Sequence, residues 1–249
     1  VYAIAHRGDV TNAVENSLEA LENANKKGAD FVEMDIVLTK DNKFVVSHDF
    51  NLKRLGNKNS YIRNLNLNEI DGVRTRQNGF ESEFISFDKY AKRAKELGQK
   101  LLVEVKMYGK EPSNMANIVA DKFKELGIEK DCMVVSFDLK LMEEVKKILP
   151  ELKTGYIMPL LLGDLPDTNV DFYALEDFSY NEKLAIQAKI KKKKLLIWTV
   201  NDIIKIRKYL RQPVDGIITD ELQELKEEKK YLKENNTYFD KYIRIITNV

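Results

Sequence analysis

The chain has 249 residues, with 41 Lys and Arg against 40 Asp and Glu, 43% hydrophobic and 33% charged residues. That length admits one or two domains and suits an α/β barrel as a single unit, while the composition excludes a disordered tail and a membrane span. A formal charge of +1 provides no field for holding nucleic acid, and a single cysteine, Cys132, excludes a disulfide framework or a cysteine-rich zinc site.

Short apolar runs alternate with segments of helical period from one end to the other. Tyr2 to His6 reads as a first strand, followed by a helical pattern over about 14 to 27 in which Leu18, Leu21 and Ala24 share one face. Phe31 to Val37 reads as the second strand. Residues 38 to 86 then break the alternation: a short strand, Lys43 to Ser47, follows the turn residues Asp41 and Asn42, and the remainder is rich in Asn, Gly and Arg. So long a connection predicts a small insertion after the second strand, at about 49 to 86. Further on come strands at Leu101 to Val105, Met133 to Phe137, Thr154 to Ile157, Phe172 to Leu175, Leu195 to Val200 and Gly216 to Thr219. The helical segments lie at about 87 to 98, 115 to 126, 138 to 148, 181 to 193, 203 to 211 and 221 to 234. Eight strands in this order predict an α/β protein, a closed (β/α)8 barrel occupying residues 1–249 as one domain. The alternative, an open doubly wound sheet, ordinarily carries a glycine fingerprint after its first strand, and none occurs. The lysine run 191 to 194 reads as a solvated helix end, and Glu221 to Lys230 as an exposed helix face.

Only two histidines exist, His6 and His48, each just past an apolar strand. Strand C-terminal ends form the active face of a barrel, although a lone histidine is as often structural. Glu33 and Asp35 lie two apart on the second strand and therefore point to the same face. Two carboxylates together raise each other's proton affinity unless a cation intervenes. Glu104 ends the run Leu101-Leu102-Val103, with Lys106 at same-face spacing. Three hard anionic oxygen donors suit Mg2+ or Ca2+ better than zinc; the alternative is an ion-pair layer of these groups with Arg7 and Lys106.

Several short motifs carry a resemblance: His6-Arg7-Gly8, Glu15-Asn16-Ser17, Glu33-Met34-Asp35, Thr39-Lys40-Asp41, Val45-Val46-Ser47-His48-Asp49, Glu104-Val105-Lys106, Trp198-Thr199-Val200-Asn201-Asp202 and Asp215-Gly216-Ile217-Ile218-Thr219-Asp220. In this order they resemble the glycerophosphodiester phosphodiesterase family over nearly the whole chain, with Ser17 where the family usually has Thr. The resemblance implies a TIM barrel with a small insertion after the second strand. It also implies metal-dependent hydrolysis of glycerophosphodiesters to glycerol 3-phosphate and an alcohol. By similarity, His6 and His48 form the acid/base pair, Glu33, Asp35 and Glu104 hold the divalent ion, and Arg7 and Lys106 neutralise the phosphate. Trp198 either walls the glycerol pocket or only packs; Glu15 and Asn16 either belong to the site or cap the first helix; Asp220 is either structural or part of the site. The partner is a small glycerophosphodiester or a glycerol phosphate polymer of the lipoteichoic type. Phospholipase-like action on lipid and a non-enzymatic glycerophosphate sensor are the alternatives.

Gly155-Tyr156-Ile157 and Asp171-Phe172-Tyr173 resemble the membrane-linked branch of low-GC Gram-positive bacteria. No run reaches the roughly 18 apolar residues of a spanning helix, and the start, at Val1, lacks the regions of a signal peptide. The expectation is a processed or excised domain whose parent carries N-terminal transmembrane helices, with the catalytic part extracytoplasmic; a cytoplasmic location is the alternative. Met158 to Leu165 is an apolar run where a loop of the active face is expected. Leu160, Leu161 and Leu162 there either cover the barrel rim or stand exposed toward a membrane.

Overall fold

The computed structural model describes residues 1–247, with side chains through residue 235. β1 (Tyr2–His6) leads through α1 (Leu18–Lys26) to β2 (Phe31–Leu38), and β2 continues into a short returning strand, β3 (Phe44–Val46). An excursion follows: α2 (Lys53–Gly56), a 3-10 turn at Ile62–Asn64, α3 (Leu67–Ile70) and the hairpin β4 (Arg74–Gln77) and β5 (Phe80–Glu83). The regular alternation then resumes with α4 (Phe87–Glu96), β6 (Leu101–Val105), α5 (Met115–Leu126), β7 (Met133–Ser136), α6 (Leu139–Ile148), β8 (Lys153–Met158) and β9 (Phe172–Glu176). After a 3-10 turn at Asp177–Ser179 come α7 (Glu182–Ile190), β10 (Lys194–Trp198), α8 (Ile203–Leu210), β11 (Gly216–Thr219) and α9 (Leu222–Thr247).

Eight parallel strands close on themselves in the order β1-β11-β10-β9-β8-β7-β6-β2, and pairing of β1 with β2 completes the ring. All eight residues of β2 are buried, as expected for a parallel strand covered on both faces. Period two divides the strand side chains. Ile4, Phe31, Leu102, Val135, Ile157, Phe172, Ala174, Leu196 and Ile218 fill the lumen. Their neighbours, such as Ala5, Val32, Val103, Val134 and Ile197, pack outward against the helices. Each fully buried Leu or Ile contributes roughly 1.5 to 3 kcal/mol, so this packed plug is a firm floor beneath whatever lies at the mouth.

The predicted strands and helices are all present, with shifted ends. The crossover from β8 to β9 carries no helix among the described residues. The first helix begins at Leu18 rather than near 14, because Ser17 is its cap: the Ser17 Oγ accepts from the Ala20 N–H at 3.1 Å and donates to the Val14 carbonyl at 2.6 Å. The last helix runs on to Thr247, past the expected end at 234. No helix is long and apolar enough to cross a membrane among the described residues. The lysine run is not a free helix end: Lys191 pairs with Asp167, and Lys193 donates to the Thr168 and Val170 carbonyls, pinning the loop before β9.

The excursion has its own small core of Val37, Val45, Leu52, Ile62, Ile70 and Phe84. Its β4–β5 hairpin turns on Asn78 and Gly79, both at positive φ (51° and 83°), the backbone that a two-residue hairpin of matching twist requires. Another positive φ shapes the mouth. Gly8, at φ +87°, lies against the backbone of α1, where an added Cβ would meet Ala20 atoms at 2.7 to 2.9 Å. Gly8→Ala is therefore expected to cost roughly 2 to 4 kcal/mol through left-handed backbone and overpacking together, read as a lower urea midpoint; an unchanged midpoint would show that the loop after β1 yields freely.

Candidate active site

Alternation along β1, β2 and β6 brings the lumen-facing residues of their upper ends to one place. His6 is registered with Glu33, and Asp35 with Glu104. One carboxylate oxygen from each of Glu33, Asp35 and Glu104 lies within 4.8 Å of the others, and all three residues are buried. Asp35 is the most firmly held. Its Oδ2 accepts from the Asn16 amide at 2.9 Å, and Arg7 Nε and Lys106 Nζ stand 3.8 and 3.9 Å from its two oxygens. The Arg7 backbone N–H donates to Glu33 at 3.0 Å, and Lys106 Nζ is 3.2 Å from Glu104 Oε1 without the alignment of a hydrogen bond.

Burial raises the proton affinity of Glu33 well above the carboxylate norm, and the neighbouring Asp35 and Glu104 raise it further. Glu104 is raised likewise, by burial first and Asp35 second. Burial also works upward on Asp35, but the adjacent Glu104 carboxyl, Lys106, Arg7 and Asn16 outweigh it and pull Asp35 down to about 2. Two of these oxygens, Asp35 Oδ1 and Glu104 Oε1, are buried without a hydrogen-bond partner. Orphaned carboxylate oxygens are costly unless something positive meets them, and three converging hard donors fit a divalent cation. The ion-pair layer with Arg7 and Lys106 is present as well, so the two readings of these charges coexist.

Both imidazoles face the same cavity of about 230 Å³. The Nδ1 of His6 is 2.7 Å from Asp220 Oδ1, and that of His48 is 2.8 Å from Asp49 Oδ1. A carboxylate on Nδ1 fixes the tautomer and leaves Nε2 free for other work. Asn201 braces Asp220, donating to its Oδ2 at 2.8 Å and accepting from its backbone N–H at 2.8 Å. Burial works upward on Asp220, yet His6 and Asn201 hold it below the usual carboxylate range. His48 is pushed toward its neutral form by burial first and by Lys106 next.

His48 reaches the cavity by a route other than a barrel-strand end. β3 runs antiparallel to the top of β2, so the chain descends again and the Ser47 N–H donates to the Asp35 carbonyl at 3.0 Å, leaving the next residue over the carboxylates. Glu15 and Asn16 do not cap α1. Glu15 binds Arg7 at 3.0 Å, while Asn16, at φ 55°, turns its amide onto Asp35. Asp220 is on His6, not apart from the site. Trp198 donates its indole N–H to the Ala174 carbonyl at 3.2 Å and packs edge-on against Phe137 at 5.9 Å, both rings lining the cavity.

The cavity is thus divided. Its β1, β2 and β6 side carries His6, Arg7, Glu33, Glu104 and Lys106; its β7 to β11 side carries Val135, Phe137, Ile157, Ala174, Trp198 and Ile218. Of the loop leucines beyond, Leu160 and Leu162 are 58% and 86% exposed, whereas Leu161 packs on the core and its N–H donates to Ser179.

A (β/α)8 barrel whose mouth combines converging carboxylates, two cations and two carboxylate-braced imidazoles has the groups of an acid/base hydrolase of anionic substrates. The chain belongs to the glycerophosphoryl diester phosphodiesterase family, whose model matches residues 6–224. A glycerophosphodiester phosphodiesterase of Caldanaerobacter subterraneus subsp. tengcongensis is 28% identical over 230 residues, covering 89% of this chain and 95% of its own. Among solved structures, a glycerophosphodiester phosphodiesterase of Parabacteroides distasonis superposes with a TM-score of 0.80 at 24% identity, over 94% of this chain and 98% of the other. An Oleispira antarctica phosphodiesterase in complex with the product sn-glycerol-3-phosphate superposes with a TM-score of 0.79 at 20% identity, over 92% and 97%. At these identities the superpositions establish the barrel fold.

Proposed function

We propose that residues 1–249 form one catalytic domain that hydrolyses glycerophosphodiesters to glycerol 3-phosphate and an alcohol. In this reading Glu33, Asp35 and Glu104 hold a divalent cation, Mg2+ or Ca2+, and His6 and His48 move the protons. The observation that carries it is one cavity lined by both imidazoles, Glu33, Glu104, Arg7 and Lys106, with Asp35 buried behind it in the same carboxylate cluster. A cation held by these carboxylates would supply charge neutralisation for the phosphoryl group. Arg7 and Lys106, beside the carboxylates, add positive charge that orients the diester.

Two proton transfers remain. His48, pushed toward its neutral form by burial and Lys106, takes the proton from the attacking hydroxyl as the new P–O bond forms. That hydroxyl is water's, giving glycerol 3-phosphate directly, or that of the glycerol 2-carbon, giving a cyclic phosphate that water opens in a second round with the two histidines exchanging roles. His6, held at Nδ1 by Asp220, gives a proton to the departing alkoxide as the old P–O bond breaks. The apolar half of the cavity, with Trp198 and Phe137, takes the carbon skeleton beside the phosphate.

Exposed Leu160 and Leu162, with Phe178 at 68% exposure beyond β9, favour a second reading of the substrate. An apolar rim beside the mouth suits a glycerol phosphate polymer presented at a lipid surface, and with it a membrane-linked parent whose catalytic part lies outside the cytoplasm. One assay tests both. Released glycerol 3-phosphate is measured from glycerophosphocholine, glycerophosphoglycerol and a vesicle-anchored glycerol phosphate polymer, with chelator and with Mg2+ or Ca2+ restored. Release from a soluble diester that stops with chelator is expected, and silence on every substrate would sink the reading. The double variant L160S/L162S should lose the vesicle-bound activity and spare the soluble one.

A further inference from the structure

α2 is a single helical turn that buries none of its own residues, yet one of its side chains reaches two loops of the active site. Arg54 is 42% exposed, and its guanidinium binds two carboxylates side by side. Nε and Nη2 donate to Asp49 at 2.8 and 3.1 Å; Nη1 and Nη2 donate to Glu15 at 2.7 and 2.9 Å. Each carboxylate then passes to a group facing the cavity. Asp49 holds His48 Nδ1 at 2.8 Å, and Glu15 holds Arg7 Nη1 at 3.0 Å. The result is one alternating chain of charges, Arg7, Glu15, Arg54, Asp49 and His48, joining the loop after β1 to the loop after β3.

Both ends need fixing. Arg7 is a non-glycine residue at φ 57°, a conformation that persists only where its surroundings hold it. His48 stands on a loop tied locally by the Ser47 hydroxyl donating to the Asp49 carbonyl at 2.7 Å and by the Ser47 N–H on the Asp35 carbonyl, neither of which holds the imidazole itself. Glu15 is almost wholly buried and is also gripped by Gln77 of the β4–β5 hairpin, through its backbone N–H and through Oε1, both at 2.8 Å. The far anchor of the clamp is therefore rigid.

We propose that Arg54 is a positioning residue: its guanidinium fork sets His48, through Asp49, and Arg7, through Glu15, in one fixed geometry about the scissile phosphate. The proposal rests on the roles assigned above to His48 and Arg7. Arginine is required because a planar fork serves two carboxylates in defined directions, while a lysine ammonium is a point charge on a flexible stem. Burial works upward on Asp49, but Arg54 first and His48 second hold it ionised. Loss of Arg54 leaves Asp49 free to rotate and leaves its charge to His48 alone. Misplacing a reacting group by about 1 Å costs up to about 10²-fold in rate.

The test uses the full chain with its divalent ion and a soluble glycerophosphodiester. Arg54→Ala should lower kcat about 10- to 100-fold with KM within about 3-fold, Arg54→Lys should recover only part of the loss, and Arg76→Ala on the hairpin should match the parent. In an E15Q/D49N background the further change R54A should cost little, since its partners are already neutral. The His48 ring is followed in parallel by NMR. Lys106 and Arg7 favour its neutral form, Asp35 and Asp49 its charged form, so changing how Asp49 sits on Nδ1 by removing Arg54 should move its titration midpoint away from that of the parent.

Parent-like turnover in R54A with an unmoved midpoint overturns the proposal. So does a loss confined to KM, which would mean direct contact with substrate, or an equal loss in the E15Q/D49N background. Should R54A fail to fold, R54K decides: full activity with a single ammonium refutes the fork. If His48→Ala itself turns over normally, the role of His48 is wrong, and the NMR midpoint alone then judges the clamp.

Discussion

Replacing His48 with alanine is expected to lower turnover about 10²- to 10⁴-fold, the usual worth of a positioned proton-transfer group, and replacing His6 should cost a similar amount. The two losses should differ in kind. His48 is held toward its neutral form by burial and Lys106, the form a base needs. The kcat/KM profile of the parent should therefore stay high through neutrality and fall on the acid side, and that acid limb should vanish in His48→Ala. His6 carries Asp220 on Nδ1, the arrangement of an acid that delivers a proton from Nε2. A chromogenic diester with an acidic phenol as leaving group needs no such proton. His6→Ala should then recover much of its rate on that substrate, while His48→Ala should not. Near-normal turnover in both variants on an ordinary alcohol diester would falsify the pairing.

The parts of this site legible in the sequence are those set by local period. Glu33 and Asp35 share a face because residues two apart on a strand must do so, and Glu104 and Lys106 follow the same rule on β6. Their meeting in space then needs only adjacent parallel strands, which an alternating βα pattern supplies. Groups that approach from loops were less legible. His48 was visible as a residue past an apolar run, but its route, down an antiparallel return from the top of β2, depends on the pairing of Ile36 with Val46. Asp49 adjoins His48 in sequence, whereas Asp220 meets His6 only when β11 closes the barrel against β1. Arg54 and Glu15 lie 39 positions apart, and no periodicity links them.

Local propensity also misled at helix ends. Asn16 is a good cap by type, yet Ser17 caps α1 and frees Asn16 for Asp35. Asn235 and Asn236 are weak helix formers, yet α9 continues to Thr247. The hairpin of the excursion was missed, because Arg74 to Glu83 carries too few apolar residues to read as paired strands; Asn78-Gly79 was the local signal that could have found it.

The other large effect concerns the carboxylates. Chelation should lower the melting temperature of the parent chain, and saturation with Mg2+ or Ca2+ should restore it. A ligand at about a hundredfold excess over its Kd adds about 2.7 kcal/mol, roughly 5 to 10 °C for a chain of this size. Without a cation, Glu33 and Glu104 hold protons more tightly in the folded chain than in the unfolded one, through burial and one another's neighbours. Stability from such groups is fully present below the unfolded value of about 4.5 and is lost as pH rises through the higher folded value. The chelated protein should therefore weaken toward neutral pH, where its buried carboxylates are forced to ionise together. Glu33→Gln removes one of those charges: in chelator it should melt at or above the parent temperature at pH 7, with no further rise on adding metal and with turnover lost. Asp35→Asn should abolish the metal response too, but without that gain, because Asp35 is the carboxylate that Arg7, Lys106 and Asn16 already hold ionised. A parent chain that melts identically with and without either metal, together with an Asp35→Asn variant of normal turnover, would leave the trio as a charge layer that only braces the barrel mouth.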